Sequence, residues 1–278
     1  MRFGSHVSIQ EGYLGAAKQA NALNASAFQY FPKNPRSLSV KEYNQEDAIQ
    51  CQTFCVQNEL LSIAHTPYPT TLTPTDEKKK QMVIASLLND LEIAELCGSL
   101  GVVVHFGKQV FRSDQLASYR LMIEVLNEVL GRWEGKCKIL IENLAGKPGT
   151  MGTTFEELVR IRELSDYADK IGFCFDTCHA FASGLWDGDN WEVLYEKGVE
   201  LGYINYLEAV HLNNSKYESG SGKDRHANIF GPGHISENQF EELLGSELFS
   251  EIPFILETPK EHVPHKKEIQ QLKEKWGS

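Results

Sequence analysis

Nine histidines and thirty-eight acidic residues occur in this chain of 278 residues, and several stand in one repeated place, at the end of a short apolar run. His65 ends Leu61–His65, His105 ends Gly101–His105 and Glu142 ends Lys138–Glu142. Asp176 ends Ile171–Asp176, His211 lies within Ala209–Leu212, Glu257 ends Pro253–Glu257, and His6 closes the first run, Arg2–Ser8. Asp176-Thr-Cys-His179 and Asp224-Arg-His226 add His179, Asp224 and His226. Taken singly, a histidine at a strand end is usually hydrogen-bonded, and an acid after an apolar run is usually a cap or a surface charge. Together they pose an electrostatic problem. Converging carboxylates repel one another and buried charges are costly unless paired or bound to metal. Setting His6 aside, five imidazoles and four carboxylates remain, too many for one ion and enough for two or three. The mix suits zinc, with manganese or another divalent ion as the alternative at one position.

Such residues can meet only if the elements carrying them converge. Eight runs read as strands: Arg2–Ser8, Ser26–Phe31, Leu61–His65, Gly101–His105, Lys138–Glu142, Ile171–Asp176, Ala209–Leu212 and Pro253–Glu257. Segments such as GVVV, KILI and PFIL are apolar on consecutive residues, as strands buried on both faces of a parallel sheet are. Helical patterns separate them. Thr153–Glu156 and Ser236–Gln239 read as capping boxes, Thr75 and Asp76 precede a run reaching Leu96, and Pro264 opens the last helix. Eight strand–helix alternations at this length predict an α/β fold, a (β/α)8 TIM barrel forming a single domain over residues 1–278. A doubly wound open sheet is the alternative. In a barrel every strand end points to one mouth, where active sites are built.

Bulk properties narrow the function. The net charge of −11 argues against a phosphate-backbone partner unless cations occupy the acidic cluster. Six scattered cysteines without a CxxC pair read as reduced and buried, which predicts a cytoplasmic protein. Cys51 and Cys55 read as one helical face, and Cys178 reads as a packing residue. No apolar run is long enough to span a membrane.

The segments GSHVSIQEG, FPKNPRS, IAHTPY, VVVHFG, LIENLAG, CFDTCHAFASG, HLNNSK with GSGKDRH, and FILETP resemble, in order and over nearly the whole chain, the endonuclease IV family of zinc-dependent apurinic/apyrimidinic endonucleases. That resemblance implies a TIM barrel that cuts the phosphodiester 5′ to an abasic site in duplex DNA with a three-zinc cluster, leaving a 3′-hydroxyl. It implies His65 and His105 as ligands of one ion, with Glu142 bridging to a second. Asp176, His211 and Glu257 would complete the second, and His179, Asp224 and His226 would hold the third. Glu142 would be the catalytic residue, and Arg36 and Tyr68 would contact DNA. The chain departs from the family pattern at Pro69, Phe106, Lys147 and Asn214, and in the stretch Gly231-Pro-Gly233. Pro69, Phe106 and Lys147 are expected near the DNA face rather than the metals.

Phosphodiester hydrolysis needs an activated water, a neutralised phosphate and a stabilised leaving oxygen, all within the reach of a divalent cluster. Lys33, Arg36, Lys108, Lys147, Lys216, Lys223 and Arg225 are expected on the rim, where they would offset the acidic total. No obligatory protein partner is expected, and the chain should act as a monomer. Two other functions compete. A metal-dependent sugar isomerase or epimerase would need only Glu142, Asp176, His211 and Glu257. A non-cleaving protein that binds damaged DNA would tolerate a missing ligand, and none is missing. A nuclease acting on undamaged strands or blocked 3′ ends is a further variant.

Overall fold

A computed structural model describes residues 1–111, 114–147, 149–246 and 251–277. Eight parallel strands close into a barrel: β1 (Arg2–His6), β2 (Ala27–Tyr30), β3 (Leu61–His65), β4 (Gly101–His105), β5 (Lys138–Glu142), β6 (Ile171–Asp176), β7 (Leu207–His211) and β10 (Pro253–Leu256). Each pairs with the next, and β10 returns to β1 in parallel, with Arg2 opposite Pro253 and Ser5 opposite Leu256. Two-residue strands β8 (Asn214–Ser215) and β9 (His226–Ala227) form a separate antiparallel pair above the barrel. The TIM barrel expected from the alternation is therefore present.

Among the described residues the helices are α1 (Gly12–Ala22), α2 (Gln45–Gln57), α3 (Glu77–Leu96), α4 (Gln115–Arg132), α5 (Phe155–Leu164), α6 (Thr177–Ser183), α7 (Trp191–Glu200), α8 (Glu237–Leu244) and α9 (His265–Trp276). None is long and apolar enough to cross a membrane. Asp76 caps α3 through Lys79 N, and Ser236 with Gln239 forms a full capping box on α8. The cap of α5 falls one residue later than expected. Thr154 accepts from Glu157 N, while Thr153 Oγ1 turns to Thr150 O at 2.6 Å. Strand β6 runs straight into helix α6, with no loop between them. The Asp176 carboxylate caps α6 by accepting from His179 N at 2.6 Å, so one side chain starts the helix and faces the barrel mouth.

Two cores hold the fold. One lies between the strands and the surrounding helices. The other is a plug inside the barrel, made by Ala27, Ile63, Val103, Leu140, Cys174, Ala209 and Ile255, all fully buried. Gly4 supplies the missing place on β1, where a Cβ would lie 1.7 Å from Ala27 O. Successive strand residues alternate sides, so a residue two positions further on also faces the interior. Counting two from each of these eight positions gives His6, Gln29, His65, His105, Glu142, Asp176, His211 and Glu257. The apolar plug is the floor, and these eight polar residues form the layer above it.

Candidate metal centre

The strands deliver six of the nine candidates as that polar layer, and the rest arrive from above. His179 projects from the first turn of α6, and Asp224 and His226 come from the segment leading into β9. Glu142 is central. Its Oε2 lies 3.2 Å from His105 Nε2 and 3.6 Å from His65 Nε2. Its Oε1 lies 2.8 Å from His211 Nδ1. His211 Nδ1 also faces Asp176 Oδ2 at 3.8 Å and Glu257 Oε2 at 3.5 Å. Asp224 spans the two remaining rings, at 3.4 Å from His179 Nε2 and 3.3 Å from His226 Nε2.

Ligand atoms of His65, His105 and Glu142 lie within 4.8 Å of one another, as do those of Glu142, Asp176 and His211. A third such group joins His179 and His226 to Asp176, where Asp224 was expected. Cys178 Sγ also comes within that range of Asp224 and His226. Burial pushes its thiol up, and Ser215 hydrogen-bonds it, which favours packing over ligation. Cys51 and Cys55 lie buried along α2, and all six cysteines are free and buried.

The imidazoles are oriented by the ring nitrogen that faces away from the cluster. His65 Nδ1 donates to Thr66 O at 2.8 Å and His179 Nδ1 to Asn143 O at 2.9 Å. His226 Nδ1 lies 3.3 Å from Glu257 O, and His211 Nε2 lies 2.7 Å from Gln29 Oε1. With the outer nitrogen bonded to an acceptor, the inner nitrogen keeps its lone pair for the cluster. The carboxylates are braced too. Asn213 donates to Asp176 Oδ2 at 2.8 Å and accepts from Glu257 N at 2.9 Å. Asn143 brackets Asp176 through both backbone polar atoms.

Electrostatics shows what this cluster takes up. Burial alone would raise Glu142, yet His211 and His105 hold it well below the usual carboxylate range. Burial would likewise raise Glu257, but His211 and His226 bring it to about 2. Burial would depress His226, but its bond to Asp224 and the charge of Asp176 lift it to about 9. His211 and His179 rise well above the usual imidazole range by the same contest. Without metal, protons on the rings are what neutralise the acids. Glu142 Oε2 and His226 Nε2 are buried without a directed hydrogen bond. Two orphaned donor atoms, in a ring of nitrogens and carboxylate oxygens that attracts positive charge, fit divalent cations.

The rim divides the other expectations. Arg36 and Tyr68 are both exposed and share a loop pair, because Tyr68 N donates to Pro35 O at 2.8 Å. The Tyr68 ring packs 5.2 Å from Phe31, and Phe31 packs 5.5 Å from His65, so an aromatic path leads from surface to cluster. Two clefts flank the cluster and share His105, His179 and Asp224. One of about 320 Å³ runs past Phe31, Tyr68 and Lys260. The other, of about 470 Å³, runs past Lys108 and Gly146. Lys108, Lys147, Lys216, Lys223 and Arg225 are exposed as expected. Lys33 is not a rim cation. It is buried, 3.0 Å from Asp90 Oδ1 on α3 and bonded to Ser86 O. Phe106 is buried against Tyr119 rather than facing DNA. Asn214 is buried as well, where its Oδ1 accepts from Ser215 N and Ile235 N and its Nδ2 donates to Ile235 O.

The chain matches the family model of xylose isomerase-like TIM barrels over residues 17–276. It is 41% identical over 259 residues to a probable endonuclease 4 of Symbiobacterium thermophilum, covering 93% of each chain. Among solved structures, endonuclease IV of Thermus thermophilus superposes with a TM-score of 0.85 at 28% identity, covering 99% of this chain and 98% of that one. A D-tagatose 3-epimerase-like protein superposes at 0.71 with 20% identity, covering 99% and 96%, a likeness of fold alone.

Proposed function

From the premise that this chain belongs to the endonuclease IV family, we propose that it is a zinc-dependent DNA repair endonuclease that hydrolyses the phosphodiester 5′ to an abasic site in duplex DNA and leaves a 3′-hydroxyl. The observation that carries this reading is the convergence of all nine candidate donors on one barrel mouth, with Glu142 touching both halves of the set. Three ions are proposed. His65 and His105 would hold the first, and Asp176, His211 and Glu257 the second, with Glu142 shared between them. His179, Asp224 and His226 would hold the third. Bound there, divalent ions would lower the pKa of water, orient the phosphate and offset charge on the leaving oxygen.

The chain's own residues do the rest. Glu142, fixed by His211 on one oxygen, keeps the other aimed at His105 and His65, where it would help to position an attacking water. Tyr68, backed by Phe31, would fill the gap left by a missing base. Arg36 beside it would grip the backbone. An abasic site unstacks cheaply, which favours extrusion of the lesion. Lys108, Lys147, Lys216, Lys223, Arg225 and Lys260 set cations around a mouth in a chain of net charge −11. We place the protein in the cytoplasm, a reading that six free buried thiols support, and expect it to act as a monomer.

A sugar isomerase on the same barrel would leave His65, His105, His179, Asp224 and His226 without a task. Elemental analysis of the purified chain, paired with nicking of a duplex bearing one abasic analogue, separates the two. The expected result is three zinc ions per chain and a single nick whose 3′ end a polymerase extends. One ion per chain without nicking, accompanied by ketose interconversion, would sink the proposal.

A further inference from the structure

Gln29 occupies the β2 place in the polar layer, and it is the one member of that layer that is neither acid nor imidazole. It is fully buried. Its Nε2 lies 2.7 Å from Glu257 Oε1 and 3.1 Å from His6 Nδ1, and its Oε1 lies 2.7 Å from His211 Nε2. Chemistry fixes which way the amide points. A carboxylate only accepts, so the atom facing Glu257 must be the donating NH₂, and the carbonyl oxygen must face His211. A carbonyl only accepts in turn, so His211 carries its hydrogen on Nε2. When a cation displaces the proton from Nδ1, the lone pair left there faces Glu142, Asp176 and Glu257.

We propose that Gln29 is a positioning residue for the second ion, selecting the Nδ1-ligating form of His211 and holding one oxygen of Glu257 so that the other is presented to the metal. This rests on the metal reading given above. His6 completes the set. The amide NH₂ only donates, so His6 Nδ1, 3.1 Å away, accepts the second amide hydrogen. Without Gln29, the ring hydrogen of His211 could move to Nδ1 and bond Glu142, 2.8 Å away, occupying the face the ion requires.

The test is Gln29→Met, which keeps the length and apolar bulk of the side chain and removes every hydrogen bond. Zinc-loaded wild type and variant are dialysed against a graded chelator series, and zinc per chain is measured by elemental analysis, with the melting temperature of each metal-free protein as the folding control. The expected result is release of one ion at about 10- to 100-fold lower chelator strength, with the other ions held as in wild type. If Gln29→Met does not fold, Gln29→Asn withdraws the amide by one carbon and must release that ion in the same way. A variant that keeps all its zinc, or loses every ion together, overturns the positioning role. A wild-type chain that takes up no zinc overturns instead the metal reading beneath it.

Discussion

Glu142 accepts from His211 Nδ1 at 2.8 Å through one oxygen and faces His105 Nε2 at 3.2 Å through the other. One carboxylate thus joins two halves of the cluster contributed by strands β4 and β7. Replacing it with glutamine puts an amide NH₂ against an imidazole and removes the charge that two ions are proposed to share. Transition-state charge stabilisation at such a site is worth several kcal/mol, so Glu142→Gln should lower cleavage by at least about a thousandfold. Binding of the abasic duplex should survive. Nicking at the wild-type rate by homogeneous, zinc-loaded Glu142→Gln would remove the role.

Asp224 is the most exposed of the nine, with 55% of its side chain accessible, yet it reaches both His179 and His226. Asp224→Asn should remove one ion of the set and leave the buried ions in place. The rate should fall by about 10²–10³, as when one stabilising group is withdrawn from a developing charge. Zinc stoichiometry and single-turnover rates check this together. Full zinc content with unchanged turnover would count against a third site there.

Arg36 and Tyr68 sit on facing loops joined by the Tyr68 N to Pro35 O bond. Arg36→Ala should weaken abasic-duplex binding about tenfold and reduce the slope of log affinity against log salt by about one. Tyr68→Ala should cost about 1–3 kcal/mol of binding, and Tyr68→Phe much less, because the ring does the stacking. Affinities measured at several salt concentrations decide. An unaltered slope for Arg36→Ala would show that it touches no phosphate.

Lys33 and Asp90 form a buried pair beneath the same loop. Burial raises Asp90 from 3.8 to about 7, against the pull of Lys33, and burial lowers Lys33. The folded state therefore holds the Asp90 proton more tightly than the unfolded chain does. The stability this group contributes is fully present below about pH 4 and is lost as pH rises to about 7. Metal-free wild type should lose stability relative to Asp90→Asn between about pH 4.5 and pH 7.5, read from urea midpoints. Lys33→Met should cost about 3–5 kcal/mol at neutral pH, where it strands a buried carboxylate, and less in acid. A constant difference between wild type and Asp90→Asn across that range would contradict the assignment.

Strands β3 to β6 are readable from sequence to the residue, because each is a β-branched or apolar run ended by a ligand type. Their convergence is readable too, because parallel closure sends all strand ends to one side. Gln29 escapes that reading. Its amide cannot titrate and two aromatic residues follow it, so only its spacing of two from buried Ala27 marks it as interior. Lys33 is misread for a different reason. Its partner Asp90 lies on a helix far along the chain, and nothing local distinguishes a buried lysine from a solvated one. Phe106 follows His105 at the mouth, but strand alternation turns it outward, into the packing beneath α4. In the third group, Asp176 serves both as helix cap and as a candidate ligand facing His226, a double use that motif spacing does not reveal.

The barrel closes by pairing β1 with β10, the first strand made with the last. During synthesis His65, His105, Glu142, Asp176, His179 and His211 all leave the ribosome before Glu257 exists. The incomplete sheet has an open edge on each side, and the second proposed site lacks a donor until the final strand seats. Loading of that proposed site is thus expected only at the end of folding, and a chain cut short before Pro253 loses the seam and a candidate ligand at one stroke.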